Sequence, residues 1–245
     1  MKVILLLNLF ILVKGKFKMN QLNKYISTTS NIYKPKTINQ QKYLQAVENE
    51  NTKLVIVNGP AGTGKTLFAC ISAIELLKNN NIDKIILTRP LVSVEEEIGF
   101  LPGNINQKMD PWTKPIIDIF SEYYKKIEIE QMIYNNILEI IPLGLMRGRT
   151  FKNSYIIADE MQNSTPNQMK MITTRIGENS KMIITGDLNQ SDLKDKNGLD
   201  DLITKYKIYS NSVELNDLIQ IIKLENTDIE RSKIVKTIMN IYDTK

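Results

Sequence analysis

The sequence contains 245 residues, of which 42% are hydrophobic, enough for one sizeable α/β core but not for a second full domain. It has a single cysteine, Cys70, and no histidine, which excludes an intrachain disulfide, zinc sites of the histidine type and catalytic triads that depend on histidine. A lone cysteine is typical of the reducing cytoplasm, so we expect a cytoplasmic protein.

The net charge of +5 is unevenly distributed along the chain. The first fifty residues carry eight lysines and two glutamates, so the net charge of this segment is higher than that of the whole chain. The remaining residues are therefore slightly acidic. A core close to neutral has no strong attraction for phosphate backbones. The charge therefore gives only weak support for single-stranded RNA or DNA as a partner.

The N-terminal segment is predicted to lie outside the folded domain. Residues 3–13 are almost wholly apolar, but this stretch is too short to span a membrane and is followed by three lysines without a small-residue cleavage site. We therefore expect no stable membrane insertion, and Met19 is a candidate for the true start. Residues 1–36 are predicted to form a flexible basic extension, and residues 37–245 the folded domain.

A phosphate-binding motif follows the first predicted strand. The apolar run at residues 54–57 predicts a buried strand and residues 67–78 a helix. The segment between them matches the P-loop and consists of Gly59, Pro60, Ala61, Gly62, Thr63, Gly64, Lys65 and Thr66. In this motif backbone N–H groups face the phosphates, the lysine reaches the β and γ phosphates, and the threonine hydroxyl is a ligand of Mg²⁺. A glycine-rich turn that binds nothing is the less favoured alternative.

The next predicted strand, residues 84–87, leads into a segment that a minimal P-loop fold does not require, residues 91–136. We predict two helices within it, at residues 111–126 and 127–136. The segment leaves the sheet at the edge that faces the nucleotide, so it is a candidate partner surface. Trp112, Tyr123 and Tyr124 could stack on bases, although aromatic residues at helical spacing are more often part of a core.

Two adjacent carboxylates, Asp159 and Glu160, end a predicted strand that begins at Tyr155. The carboxyl ends of strands are where open α/β sheets build their sites. We expect Asp159 to hold Mg²⁺ through water and Glu160 to act as the general base, the alternative being an exposed acidic turn. A further strand, residues 182–185, ends in GDLNQ, where Gln190 or Asp187 is expected to sense the γ-phosphate, although an ordinary turn is an equal alternative.

Phosphoryl transfer also needs a cation where negative charge develops in the transition state. Arg147 and Arg149 follow a predicted strand at residues 137–141 and are candidates to face phosphates, nucleic acid or a neighbouring subunit. Structural salt bridges are the alternative for both. Arg231 is a third candidate, acting within its own chain or on a neighbour. The sequence does not choose among the three.

Taken in order, these motifs closely resemble the PhoH-like family, P-loop ATPases related to the ATP-binding core of superfamily 1 helicases. Besides the P-loop, the resemblance is carried by LTRP at 87–90, MRGRTF at 146–151, ADEMQN at 158–163 and GDLNQ at 186–190. It spans most of residues 40–242. The resemblance also implies that Gln40 reads the adenine edge, the alternative being a solvated helix start. Asp228 and Arg231 resemble the D-x-x-R of the family, followed by an amphipathic helix through Tyr242.

The predicted fold is a RecA-like, three-layer α/β/α sandwich with a mainly parallel sheet of about five strands, each followed by a helix. The predicted function is Mg²⁺-dependent ATP hydrolysis, with coupling to RNA or DNA remodelling as an extension. Superfamily 1 helicases use two such domains to move along a strand, so a motor built on one domain must form a homo-oligomer, for which a ring is our hypothesis. The alternative is an ATP-dependent binding module that grips a protein partner with little turnover.

Overall fold

Six parallel strands form a single sheet at the centre of the protein. A computed structural model describes residues 33–90, 105–192, 197–212 and 217–230, together with 234–235, 237–238 and 241, with only the backbone described for 105–112. The strand order is β3-β2-β4-β5-β1-β6, and every neighbouring pair is parallel. The strands are β1 Leu54–Asn58, β2 Lys84–Thr88, β3 Leu138–Ile140, β4 Ser154–Ala158, β5 Lys181–Gly186 and β6 Ile219–Lys223. Five strands were predicted, and β6, at one edge, is the additional one.

Six helices with complete bounds accompany the sheet in the described residues. They are α1 Ile38–Glu48, α2 Lys65–Lys78, α3 Ile105–Ser121, α4 Lys126–Tyr134, α5 Pro166–Thr173 and α6 Gly198–Ser210. The prediction that each core strand is followed by a helix is wrong at β3, which leads through the 3₁₀ turn Leu143–Met146 into β4. Side-chain caps explain three of the helix starts: Thr37, Thr165 and Asn197 each accept a hydrogen bond from the backbone N–H three residues later. Thr37 and Thr165 also form capping boxes.

The helices cover both faces of the sheet, which confirms the three-layer α/β/α fold. Successive side chains of a strand point to opposite faces, so Val55 and Val57 pack with α1 to α4, whereas Leu54 and Ile56 pack with α5 and α6. Strand β5 lies between β1, which leads into the P-loop, and β4, which leads into Asp159. This order is the RecA-like arrangement predicted from the sequence.

The two helices predicted between residues 111 and 136 are present with different bounds, and they belong to the core. Tyr123 and Tyr124 are 4% and 5% exposed and pack into the first hydrophobic cluster, as favoured for these aromatic residues. The Lys78 ammonium lies 5.4 Å and 5.5 Å from their ring centroids. The Trp112 side chain and residues 91–104 lie outside the described residues. In the described part of the chain, no helix is both long and apolar enough to cross a membrane.

Candidate nucleotide site

The loop between β1 and α2 has the curled backbone that phosphate binding requires. Gly62 and Gly64 adopt φ angles of 83° and 88°, in the left-handed region that favours glycine. The Thr63 hydroxyl donates to the carbonyl of Pro60 at 2.8 Å and closes the curve. Helix α2 begins at Lys65, so its first N–H groups and the positive end of its dipole lie at this loop.

Lys65 is folded back over the loop. Its Nζ atom donates to the carbonyl oxygens of Gly59 at 2.6 Å and Pro60 at 2.9 Å, and the residue is 9% exposed. Burial lowers the pKa of Lys65, while the negative charges of Glu160 and two aspartates act in the opposite direction. An ammonium group that is partly stripped of water and surrounded by acceptors is well placed to exchange a carbonyl for a phosphate oxygen.

The Thr66 hydroxyl and the Asp159 carboxylate, the two groups predicted to hold Mg²⁺, meet directly. Thr66 Oγ1 donates to Asp159 Oδ1 at 2.7 Å, and Thr185 of the intervening strand β5 donates to the same oxygen. These hard oxygen donors suit Mg²⁺. Among the described residues no cluster of three or more His, Cys, Asp or Glu side chains could hold a metal. A Mg²⁺ ion at this site would therefore need further ligands from nucleotide phosphates and water.

Glu160 has an unusual backbone conformation at the end of β4. Its φ angle is 53°, in the left-handed region, which is costly for a glutamate. Its Oε2 atom accepts a hydrogen bond from Nε2 of Gln162 at 2.5 Å. Strained conformations of this kind concentrate at functional sites. The alternative of a freely exposed acidic turn is disfavoured, because Asp159 is 5% exposed and Glu160 is half-buried.

The segment after β5 forms a turn at the same edge of the sheet. The Asp187 carboxylate accepts the backbone N–H of Asn189 at 3.0 Å, and the Asp187 carbonyl accepts that of Gln190, also at 3.0 Å. The Asp187 side chain is thus used within the turn, whereas the Gln190 side chain is exposed. Of the two candidates for sensing the γ-phosphate, only Gln190 has a side chain that the turn leaves exposed to solvent.

Gln40 is buried and fully hydrogen-bonded, so the alternative of a solvated helix start is wrong. The residue is 1% exposed, and its Oε1 accepts the backbone N–H groups of Lys36 and Thr37. Its Nε2 lies 3.3 Å from the carbonyl oxygens of Thr63 in the P-loop and of Asp228. Gln40 therefore connects the P-loop to both ends of the domain. To read an adenine edge, its amide would have to exchange one of these partners.

The segment that follows β6 also contacts the P-loop. The backbone N–H of Glu230 donates to the carbonyl of Gly62 at 3.0 Å, and the Glu230 carboxylate pairs with Lys36. A Cβ atom added at Gly59 would lie 2.6 Å from the carbonyl oxygen of Leu224, so only glycine fits there. Arg231, the next residue after Glu230, lies outside the described residues, as does most of the predicted C-terminal helix.

Arg147 and Arg149 lie at the far edge of the sheet, after β3. Arg149 forms an ion pair with Glu139 at 2.7 Å, and its guanidinium lies 4.8 Å from the ring centroid of Phe151, as in the salt-bridge alternative. Arg147 is exposed. Four strand spacings of about 4.8 Å separate β3 from β1, which puts the start of this segment roughly 19 Å from the P-loop strand.

Two residues of this site were not identified from the sequence. Thr185 carries a weak signal, since it is a polar residue that ends an apolar run. Gln162 lies in the ADEMQN segment, but that motif does not indicate its role, which depends on contacts with the segment after β5, more than twenty residues later.

The chain is similar to several known proteins. The family model described as "PhoH-like protein" matches residues 32–243. A PhoH-like protein of Bacillus subtilis (strain 168) is 43% identical over 210 residues, covering 85% of this chain and 63% of the relative. Protein PhoH of Escherichia coli (strain K12) is 36% identical over 213 residues, covering 83% of this chain and 56% of the relative. A Pif1 helicase structure from Candida albicans aligns with 84% of this chain and 43% of its own, at 14% identity and a TM-score of 0.42.

The chain spans about three fifths of the length of the curated relatives that it matches.

Proposed function

Because the chain belongs to the PhoH-like family and has a P-loop NTPase fold, we propose that it binds ATP with Mg²⁺ and hydrolyses it at the carboxyl edge of the sheet. The observation that supports this most strongly is the direct contact between Thr66 and Asp159, with Lys65 and Glu160 at the same edge. Four groups of the types that phosphoryl transfer needs come from two separate segments of the chain.

Each residue has a distinct task in the proposed reaction. The loop N–H groups and Lys65 bind and orient the phosphates, which leaves the γ-phosphorus open to attack in line. The Thr66 hydroxyl and the Asp159 carboxylate would hold Mg²⁺, whose contribution when bound is to neutralise charge on the β and γ phosphates. Glu160 accepts a proton from the attacking water, and Gln190 contacts the γ-phosphate.

For the arginine, the contacts favour Arg231 within the chain. Its neighbour Glu230 is hydrogen-bonded to Gly62 of the P-loop, whereas Arg149 is engaged with Glu139 at the far edge of the sheet. Arg147 is exposed at that far edge, beside the 56% exposed Leu145. We therefore propose that the chain forms a homo-oligomer in which Arg147 acts in trans, on the nucleotide site of a neighbouring subunit.

A phosphate-release assay tests the activity. Wild-type protein with ATP and Mg²⁺ should release phosphate, and Lys65→Ala should reduce the rate by at least about a hundredfold. Equal rates for the two proteins, with and without single-stranded RNA, would refute the proposal. Stimulation by RNA or DNA would add nucleic-acid remodelling to the function. The comparison of ATP with GTP in the same assay tests the adenine preference assigned to Gln40.

Mixing variants tests the trans arginine. Arg147→Ala and Lys65→Ala should each be inactive, and in a closed ring a mixture should regain activity, because a Lys65→Ala subunit lends its Arg147 to a neighbour with an intact P-loop. Light scattering with ATP and Mg²⁺ gives the mass of the assembly. A monomer at all concentrations, or an Arg147→Ala variant as active as wild type, would contradict the assignment.

The alternative is an ATP-dependent binding module for a protein partner. In such a module ATP binding holds the partner, and hydrolysis is not needed to release it. Glu160→Gln should retain ATP and trap a partner complex that wild type releases if hydrolysis drives a cycle. If both proteins hold the partner equally and neither turns over, the binding module is correct. For either function the dependence on ATP is consistent with a cytoplasmic location.

A further inference from the structure

Gln162 connects the two segments that carry the proposed catalytic residues. It lies in the 3₁₀ turn after β4 and is 2% exposed. Its Nε2 donates to Glu160 Oε2 at 2.5 Å and lies 3.5 Å from the carbonyl oxygen of Gln190, while its Oε1 accepts the backbone N–H of Asp187 at 3.1 Å. One buried amide group thus links the Glu160 carboxylate to the turn after β5.

The partners determine which end of the amide faces which segment. A backbone N–H can only donate and an ionised carboxylate can only accept, so the amide oxygen must face Asp187 and the nitrogen must face Glu160. The packing leaves little freedom: a Cβ atom at Gly186 would lie 2.8 Å from Gln162 Oε1. The Ser191 hydroxyl also donates to the Gln162 carbonyl at 3.0 Å, which adds a second link to the same turn.

Glu160 is a residue that needs such support. Its left-handed backbone conformation is unfavourable for an L residue. Among the described residues, Gln162 is the only side chain that hydrogen-bonds the Glu160 carboxylate. A charge-assisted hydrogen bond from a buried, fixed donor is among the strongest means of holding a carboxylate in one orientation.

We infer that Gln162 is a positioning residue, which orients Glu160 towards the attacking water and ties that orientation to the turn that presents Gln190. The inference rests on the proposed ATPase activity. The turn that contacts the γ-phosphate and the base that activates water would then move as one unit. Loss of the Gln162 amide donor should reduce turnover and leave nucleotide binding intact, because the phosphates are bound by the P-loop and not by this bridge.

The test compares Gln162→Glu with Asn163→Ala. The Gln162→Glu side chain keeps its length and its acceptor for the Asp187 N–H but loses the donor to Glu160. Asn163 is a matched control, because its side chain exchanges two hydrogen bonds with Asp192 across the same two segments and does not touch Glu160. We measure kcat by phosphate release and the dissociation constant of ATP by equilibrium binding.

Gln162→Glu should lower kcat by at least about tenfold, since a general base contributes roughly 10²–10⁴-fold. Its ATP dissociation constant should stay within about twofold of wild type, as should both constants of Asn163→Ala. On a Glu160→Gln background, Gln162→Glu should cause no further loss, because its effect passes through Glu160. If the buried carboxylate prevents folding, Gln162→Met, which also removes the donor, carries the same expectation.

Two outcomes for kcat would overturn the inference without affecting the proposed ATPase activity: a wild-type kcat in Gln162→Glu, or an equal loss of kcat in Asn163→Ala. A parallel loss of ATP affinity in Gln162→Glu would do the same. So would independent effects of the Glu160 and Gln162 changes on kcat. A wild-type protein that releases no more phosphate than Lys65→Ala would instead remove the proposed activity and this inference together.

Discussion

Replacing Gln40 by glutamate tests whether this residue fixes the P-loop to the rest of the domain. The change keeps the acceptor that binds the Lys36 and Thr37 N–H groups. It removes the donor that faces the carbonyl oxygens of Thr63 and Asp228 and the Glu230 carboxylate. A buried group that loses its partner costs about 1–3 kcal/mol. Both distances to the carbonyl oxygens are 3.3 Å, longer than the usual value of roughly 2.9 Å, so the lower half of that range applies to each.

We therefore expect Gln40→Glu to lose about 2–4 kcal/mol in free energy of unfolding, measured by urea denaturation without nucleotide. Gln41→Glu is the matched control: it makes the same change of charge one position along α1 on an exposed side chain, and it should stay within about 0.5 kcal/mol of wild type. Equal unfolding free energies for the two variants would refute the structural role of Gln40. A changed ATP to GTP affinity ratio with unchanged stability would instead favour adenine recognition alone.

Three further predictions concern single contacts. Gly59→Ala should reduce the free energy of unfolding by about 1–3 kcal/mol and lower the melting temperature, because the new Cβ meets a backbone carbonyl oxygen at 2.6 Å. Gly144→Ala is the control, because a Cβ at that position has nothing within 4 Å and should leave the melting temperature unchanged. Equal melting temperatures for the two variants would contradict the prediction. Thr185→Val should cost about 1.5–3 kcal/mol in urea unfolding by removing a donor to the Asp159 carboxylate, and Thr185→Ser should restore it. Burial lowers the pKa of Lys181 from 10.5 to about 8, so between pH 8 and pH 10.5 the unfolded chain binds more protons than the folded protein. The unfolding free energy of the wild type should therefore rise with pH over this range relative to that of Lys181→Met. Parallel plots of unfolding free energy against pH for the two proteins would contradict this prediction.

Much of the fold was predictable because its signals are local. The apolar runs of β1, β2, β4 and β5 identify strands without any knowledge of their neighbours, and the P-loop motif fixes the start of α2 within two residues. Strand β6 was missed because its apolar run is short, and its pairing with β1 is remote in sequence. The helices between 105 and 134 were predicted, but their bounds were displaced.

The candidate site was predictable only in part, for the same reason. Lys65, Thr66 and Asp159 belong to motifs in which residue type and spacing carry the chemistry. The functions of Gln40 and Gln162 depend instead on hydrogen bonds between segments that no local pattern connects. For Arg149 the sequence left a phosphate contact and a salt bridge open, and only the proximity of Glu139 and Phe151 favours the second.

The anchoring of the P-loop by Gln40 and by the Glu230 backbone has a consequence for synthesis on the ribosome. Gly62 and Glu230 are far apart in sequence, so the loop emerges well before the segment that holds it. A nascent chain that ends before residue 230 lacks this contact and the Glu230 carboxylate, which accepts a hydrogen bond from the Gln40 amide. Since contacts of high sequence separation form late, the P-loop should reach its final anchored conformation only after residue 230 has been synthesised.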